Sequence, residues 1–421
     1  MGTERTRRGL LRNRNYAILL SGQLVSQLGN SFYPLAVYWY TYSLTGSSVD
    51  LGYLTTVISL TALASMFTGV FVDRWDRRKT MIWSDVTRAL LAGGLALLAA
   101  LGDLKLPAIF AFALMLGLVG NLFAPAQMSL LPNVVGMEDL GAASGLNQGA
   151  SAGASLAGVS LGGFLLGIFG SASLLAVDAL SFVVSFVSIG LLRLPKTATL
   201  PQQDDQAGAG SAKFLGELGE GLRFVYGNGF FRRVVMVAGL VNFAFMPLNV
   251  LDVVWVRDVL HLGAFAYGLL GAAVTLGIVA GSILAGPMMQ RLDAGRLMIG
   301  SLGLSAVAFA AFSRLPYFLP DIVALLILGL GLGIVNPVAQ TLFQRATPQR
   351  MMGRAVGALM GTAQVASPLG AMAGGILASI LPLSTVFLMG AGLMLATLLL
   401  GVRLPQPPEF AQQADAPSAL P

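Results

Sequence analysis

The chain has no cysteine and one histidine in 421 residues, and only 10% of its residues are charged. Without cysteine there are no disulfides and no thiolate metal centres. The lone His261, beside Gly263 in an expected outer loop, cannot assemble a metal site by itself. No G-x-G-x-x-G, Walker, zinc-binding or nucleophile-elbow pattern stands in a context that could use it, which argues against an ATP-driven pump and against an enzyme, and implies no cofactor. Charge is equally scarce. Soluble domains carry about 25% charged residues, whereas here 56% of residues are hydrophobic and 52 are glycine. Glycine at that level suits transmembrane helices, where small residues let backbones approach. A large soluble protein with buried helices fails on arithmetic, because apolar runs long enough to span a bilayer recur along almost the whole chain. The N-terminus is basic, but the first apolar run is long and lacks a small-residue cleavage site, so no cleavable signal peptide is expected.

The apolar runs predict twelve spans, at 15–43, 51–73, 79–101, 106–128, 140–168, 172–192, 231–257, 265–289, 296–315, 318–343, 351–380 and 383–402. Charge placement tests that count. With the N-terminus in the cytoplasm, 21 of the 25 Lys and Arg fall on the cytoplasmic side, and Lys105, Arg257 and Arg314 fall outside. Arg88 lies within the third span. This positive-inside bias puts both termini in the cytoplasm. The net charge of +6 therefore tracks topology and is no footprint for nucleic acid.

The expected organisation is an N-terminal six-helix bundle over 1–192, a cytoplasmic linker over 193–230, a C-terminal six-helix bundle over 231–404 and a disordered tail over 405–421. Within the linker, residues 202–211 are polar and glycine-rich, and residues 214–225 suit a short helix on the inner membrane surface. The halves echo each other in order. Gly52-Tyr53-Leu54 matches Tyr267-Gly268-Leu269, and Gly69-Val70-Phe71-Val72-Asp73-Arg74-Trp75-Asp76 matches Gly286-Pro287-Met288-Met289-Gln290-Arg291-Leu292-Asp293. Pro125-Ala126-Gln127 matches Pro337-Val338-Ala339-Gln340, and Gly145-Leu146-Asn147-Gln148-Gly149 matches Gly357-Ala358-Leu359-Met360-Gly361. Two related bundles suit a carrier that rocks one against the other.

The charged loop Gly69 to Arg78 resembles the inner-loop motif of the major facilitator superfamily in its Gly, its Asp and its Arg-rich end. Trp83-Ser84-Asp85-Val86-Thr87-Arg88, Leu131-Pro132-Asn133-Val134-Val135 with Ala142 to Gln148, and Val177-Asp178-Ala179-Leu180-Ser181-Phe182 look like the macrolide-efflux and enterobactin-exporter branch of bacterial drug:proton antiporters. The resemblance implies an all-α, polytopic fold of two six-helix pseudo-symmetric bundles in a bacterial inner membrane. It implies a monomer that exports amphipathic small molecules against protons, in contact with membrane lipids. A siderophore exporter or a lysophospholipid transporter is the alternative.

By the same resemblance Asp73 faces the start of span 11, where Arg350 and Arg354 could add an ion pair, and Gly69, Arg74, Arg77 and Arg78 complete a conformational switch. An acid near free helix N–H groups is stabilised, which agrees with that role. Gly158, Gly162 and Gly163 resemble an antiporter motif with Val159 in the usual proline position, and their smooth face suits close helix packing. Three intramembrane acids are candidates for proton coupling. Asp252 leads because span 7 lines the central cavity in the superfamily. Asp85, three residues before Arg88, suits an inner gate network, and Asp178 suits helix packing. The cavity is expected to be apolar with scattered amides and aromatics, from Gln27, Asn30, Tyr33, Asn121, Asn147, Asn242, Met246, Asn249, Asn336, Gln340 and Gln364.

Overall fold

A computed structural model describes residues 10, 12–72, 75–193, 210–348 and 351–402. Every regular element in it is helical. In chain order these are α1 (Arg14–Thr45), α2 (Ser48–Val72), α3 (Arg77–Leu101), α4 (Leu106–Gly120), α5 (Phe123–Val135), α6 (Leu140–Gly190), α7 (Gly210–Gly227) and α8 (Gly229–Val254). A π-helical turn (Trp255–Val259) follows, then α9 (Ala264–Arg291), α10 (Ala294–Arg314), α11 (Phe318–Ala346), α12 (Met352–Ile380) and α13 (Leu383–Val402). Among the described residues eight helical segments are long and apolar enough to cross a membrane, and Ser48–Ala64 and Leu383–Leu398 are shorter apolar stretches. α1 is long enough but too polar to join them, because it carries Gln23, Gln27, Asn30 and several serines. Leucines that would sit inside a soluble protein face outward, with Leu90 and Leu319 each 72% exposed. Such surfaces are stable against lipid.

Local signals place the helix ends. Asn13 caps α1 through its side chain, and Gly46 closes it in the left-handed conformation. Asp76 caps α3 by accepting from the Lys79 N–H, and Asp293 caps α10 by accepting from the Arg296 N–H. These two acids occupy matching places in the repeated loop, so the echo read in the sequence is also an echo in capping geometry.

Three expected spans take a different form. The fourth is broken between α4 and α5 at Asn121, whose Nδ2 donates to the Thr61 carbonyl of α2 at 2.5 Å. The fifth and sixth form one 51-residue helix with a break at Gly170 (φ 75°, ψ 173°). An uninterrupted helix of that length would measure about 77 Å, far beyond a bilayer core of about 30 Å. Gly170 therefore separates two legs, 140–169 and 171–190, with no loop between them.

The chain divides into two compact units. The first is Met1–Gly208 with Val256–Ala272, and the second is Ala209–Trp255 with Ala273–Pro421. In the first, α1 is clasped by both legs of α6. Gly158 and Gly162 on one leg receive Ser31, Phe32 and Leu35, while Gly22 and Gly29 of α1 receive Ser188 and Ser181 of the other. Gly163 lies against the backbone of Gly268, so close that a Cβ there would be 2.8 Å from the Gly268 nitrogen. In the second unit, α9 and α11 meet along Gly277, Gly281, Gly329 and Gly333, and Gly370 and Gly374 of α12 seat α8 at Phe243, Met246 and Pro247. These are small-residue interfaces of the kind that hold helices together in lipid.

Candidate functional site

The polar residues of the first unit converge from three helices. On α1, Gln23, Gln27 and Asn30 are spaced to share one face. On α3, Asp85 and Arg88 are one turn apart. On the second leg of α6, Asp178, Ser181, Ser185 and Ser188 line one face against Gly22 and Gly29. The glycines bring the α1 backbone against this serine face, and Gln23 Nε2 donates to Ser185 Oγ at 3.3 Å.

Arg88 is the hub. Its Nη2 donates to Asn30 Oδ1 at 2.6 Å, and its Nη1 lies 3.6 Å from Asp85 Oδ1. Its guanidinium carbon sits 3.9 Å from the centroid of the Phe182 ring, a cation–π contact worth more where water is excluded. Asp178 acts on it electrostatically as well. Asp85 and Asp178 are 0% and 1% exposed. Among the described residues neither Asp178 Oδ1 nor Arg88 Nε has a hydrogen-bond partner, and Asp85 faces Ser185 and Arg88. Fully ionised, the three groups carry one excess negative charge.

Beside this cluster lies a cavity of about 230 Å³ lined by Gln23, Gln27, Asn30, Arg88, Gln127 and Asn147 among others. Its lining is predominantly polar and includes the expected Gln27, Asn30 and Asn147. The reason is that α1 turns its amide face inward and packs through its glycines and aliphatic residues. Asn30 belongs to both cavity and cluster. A guanidinium can only donate, so Asn30 must offer it the carbonyl oxygen and keep its NH₂ for other partners. Tyr16 Oη lies 3.1 Å from both the Ala143 carbonyl and Asn147 Oδ1, which fixes one wall.

The other candidates are placed as follows. Asp73, Arg74 and Arg350 lie outside the described residues, and Gly69 falls near the end of α2. Arg77 donates to the Ser129 carbonyl at 3.3 Å, and Arg78 donates to the carbonyls of Ile189 and Gly190 at 3.2 and 2.5 Å. Arg78 thus satisfies the C-terminal end of α6, where a cation is favourable. Arg354 pairs at 2.6 Å with Glu220 of α7, a partner the sequence did not suggest. Tyr33 packs against the Phe182 cluster with a buried hydroxyl, and Asn121 is a strut between α4 and α2; neither is among the residues that line the cavity. In the second unit, Asn242 donates to its own helix at Ala238, and Met246 packs beneath Gly370. Asn249, Asn336, Gln340 and Gln364 lie on exposed helix faces. Asp252 Oδ1 accepts from the N–H of its neighbour Val253 at 2.8 Å. Among the described residues Asp252 has no ion pair.

A fourth buried acid escaped the sequence reading. Asp321, in the first turn of α11, is 0% exposed, and its Oδ2 accepts from Trp255 Nε1 at 2.8 Å. Trp255 in turn packs on Phe312 and Phe387, with centroids 5.1 and 5.4 Å away. Nothing local in the sequence signals a partner 66 residues distant. In the first unit, Asp258 of the π-helical turn accepts from the Tyr42 hydroxyl, and Arg257 donates to Ser43 Oγ at 2.8 Å while resting over the Trp39 and Tyr42 rings. Arg88 itself carried a readable signal, since a basic residue inside an apolar span serves no topological purpose.

Comparison with known proteins follows the same lines. The chain matches the profile of the transmembrane secretion effector family over residues 8–420. It is 27% identical over 383 residues to the enterobactin exporter EntS of Citrobacter koseri, covering 90% of this chain and 86% of the relative. It is also 27% identical over 410 residues to the multidrug efflux pump Tap of Mycolicibacterium fortuitum, covering 91% and 93%. Among solved structures, the nucleoside transporter NupG superposes with a TM-score of 0.74 over 93% of this chain and 99% of that one, at 13% identity, a likeness of fold alone.

Proposed function

Because the chain belongs to the transmembrane secretion effector family of the major facilitator superfamily, and is therefore a multi-pass secondary transporter of small molecules and no enzyme, we propose that it exports hydrophobic or amphipathic compounds in exchange for protons by alternating access. The observation that carries this reading is a net-negative, buried charge cluster bordering a polar cavity in the first unit. Intramembrane acids without full compensation are costly and accompany ion or proton pathways. In this reading the chain crosses the bacterial inner membrane twelve times as a monomer, with both termini in the cytoplasm, and the loop from Gly69 to Arg78 with Arg350 and Arg354 acts as its conformational switch. Gly158, Gly162 and Gly163 provide the smooth packing face on which the helices move.

The polar lining of the cavity favours a second, narrower reading. Amide groups beside Arg88 suit an oxygen-rich product, such as a siderophore, better than a lipophilic cation that offers no hydrogen bonds. One experiment separates the two. Protein reconstituted in proteoliposomes with an internal pH-sensitive dye is presented with lipophilic cations, macrolides and catecholate siderophores. Proton movement with many unrelated compounds supports multidrug export, and movement with one class supports the narrower reading. Substrate movement with no proton flux sinks the coupling claim.

A further inference from the structure

We infer that Asp85, Asp178 and Arg88 form a single-proton site, shared by the two carboxylates, and that Asn30 links its occupancy to the cavity. The inference rests on the transport reading above and names the residues that would couple it.

The argument begins with charge. Two carboxylates and one guanidinium leave an excess of one negative charge, and both acids are almost wholly buried. A buried charge without a partner is strongly unfavourable, so the cluster must take up one cation. Asp178 Oδ1 has no hydrogen-bond partner among the described residues. A Cβ on Gly29 of α1 would lie only 3.0 Å from that oxygen, so little space is left beside it. A proton fits where a hydrated ion does not. The groups facing Asp178 are Arg88 from α3 and the buried Tyr33 hydroxyl from α1. Those facing Asp85 are Arg88 and Ser185 of α6. None of them supplies a second positive charge.

The link to the cavity runs through Arg88. Its strongest bond, at 2.6 Å, is to Asn30 Oδ1, whereas its contact with Asp85 is long at 3.6 Å. Asn30 and Arg88 both line the cavity. A compound that engages the Asn30 amide draws its oxygen away from Arg88. The guanidinium then turns its freed N–H toward a carboxylate, the carboxyl O–H bond breaks, and the proton leaves to water in the cavity. In the reverse direction, protonation of a carboxylate returns Arg88 to Asn30 and closes the cavity wall. Arg88 is a positioning residue here, and substrate and proton compete through it.

Asp252, the leading coupling candidate from sequence, lacks this arrangement. It accepts from the adjacent backbone N–H and has no cation beside it among the described residues.

The test needs no substrate. Full-length protein in lipid nanodiscs is titrated with pH while infrared difference spectra record the C=O stretch of protonated carboxyl groups. Among the wild-type bands, which include those of Asp252 and the buried Asp321, one with the amplitude of a single group should belong to the cluster. Asp178→Asn and Asp85→Asn should each remove or displace it, and Asp252→Asn should leave it unchanged. Arg88→Gln should double the band, because both acids must then be protonated, and Arg88→Lys, which keeps the charge, should restore a single one and guards against a folding defect. If neither single Asp variant removes or displaces a band, or if the band they remove also vanishes in Asp252→Asn, the proposal is overturned. A transport assay with no active compound leaves the band untouched, so failure of the export reading is separable. Where a binding compound is found, Asn30→Leu should abolish the proton release it causes while the pH-dependent band persists; release that continues in Asn30→Leu refutes the link.

Discussion

Replacing Gly29 by alanine tests how closely α1 is clasped by α6. The new Cβ would lie 2.6 Å from Ser181 Cβ and 3.0 Å from Asp178 Oδ1. Carbon atoms settle about 3.5–4.0 Å apart, so the two helices must separate by roughly 1 Å at this level. Rotating the Ser181 side chain does not help, because the clash reaches its Cβ. Overpacking of this kind costs about 1–3 kcal/mol, partly offset by about 0.5–1 kcal/mol from removing a helical glycine. Gly153, in the first leg of the same hairpin, provides the control. No heavy atom stands within 4 Å of its Cβ position, so Gly153→Ala should be neutral or stabilising by up to about 1 kcal/mol. Thermal unfolding of purified protein in detergent, followed by circular dichroism, should therefore rank Gly153→Ala at or above wild type and Gly29→Ala below it. Adding Ser181→Gly should recover much of the loss in Gly29→Ala. If Gly29→Ala melts with Gly153→Ala, or if Ser181→Gly gives no relief, the close packing described for this interface is wrong.

Other outcomes can be checked in the same preparation. Trp255→Phe keeps the aromatic packing on Phe312 and Phe387 but removes the donor to buried Asp321, which should cost about 1–3 kcal/mol, and Asp321→Asn should cost less in that background than in wild type. Asp76→Ala and Asp293→Ala should each lower stability by about 1 kcal/mol, to similar extents, since each removes one side-chain cap; a large difference between them would argue against the equivalence of the two loops. Glu220→Gln breaks an ion pair whose partners are 36% and 59% exposed, so its effect should stay below about 1 kcal/mol and fade in high salt.

What the sequence made legible is mostly what a bilayer imposes. Apolar run length located the helices to within a few residues, as in 296–315 against Ala294–Arg314 and 383–402 against Leu383–Val402. A helix after the polar stretch was readable too, since Gly210–Gly227 covers the 214–225 read from the sequence. The junction at Gly170 was readable as a short connection but not as a single left-handed residue. Joints of that kind depend on how the legs pack, which no window of residues records. The site was harder. Asp85, Asp178 and Asn30 were visible one by one, yet their convergence on Arg88 depends on the approach of α1 to α6 through Gly22 and Gly29. Asp321 went unseen because it sits at a helix start beside Pro320, where an acid is ordinary, and because its partner is distant in the chain. Periodicity shows that α1 has a polar face, and only packing shows which way that face turns.

The clasp around α1 also has a consequence for how the protein is made. α1 ends at Thr45, but the leg that receives Gly22 and Gly29 is complete only at Gly190. At a synthesis rate of about 5–20 residues per second, the first helix waits on the order of ten seconds for its partner. Throughout that interval its amides face lipid or the insertion machinery, with no serine face to meet them. A long helix that carries several amides is thus the first to be released and is secured only after four further helices have been made. Its early survival depends on shelter from the cell's membrane-insertion apparatus, and variants that weaken the later leg should be lost during biogenesis before any transport defect can be observed.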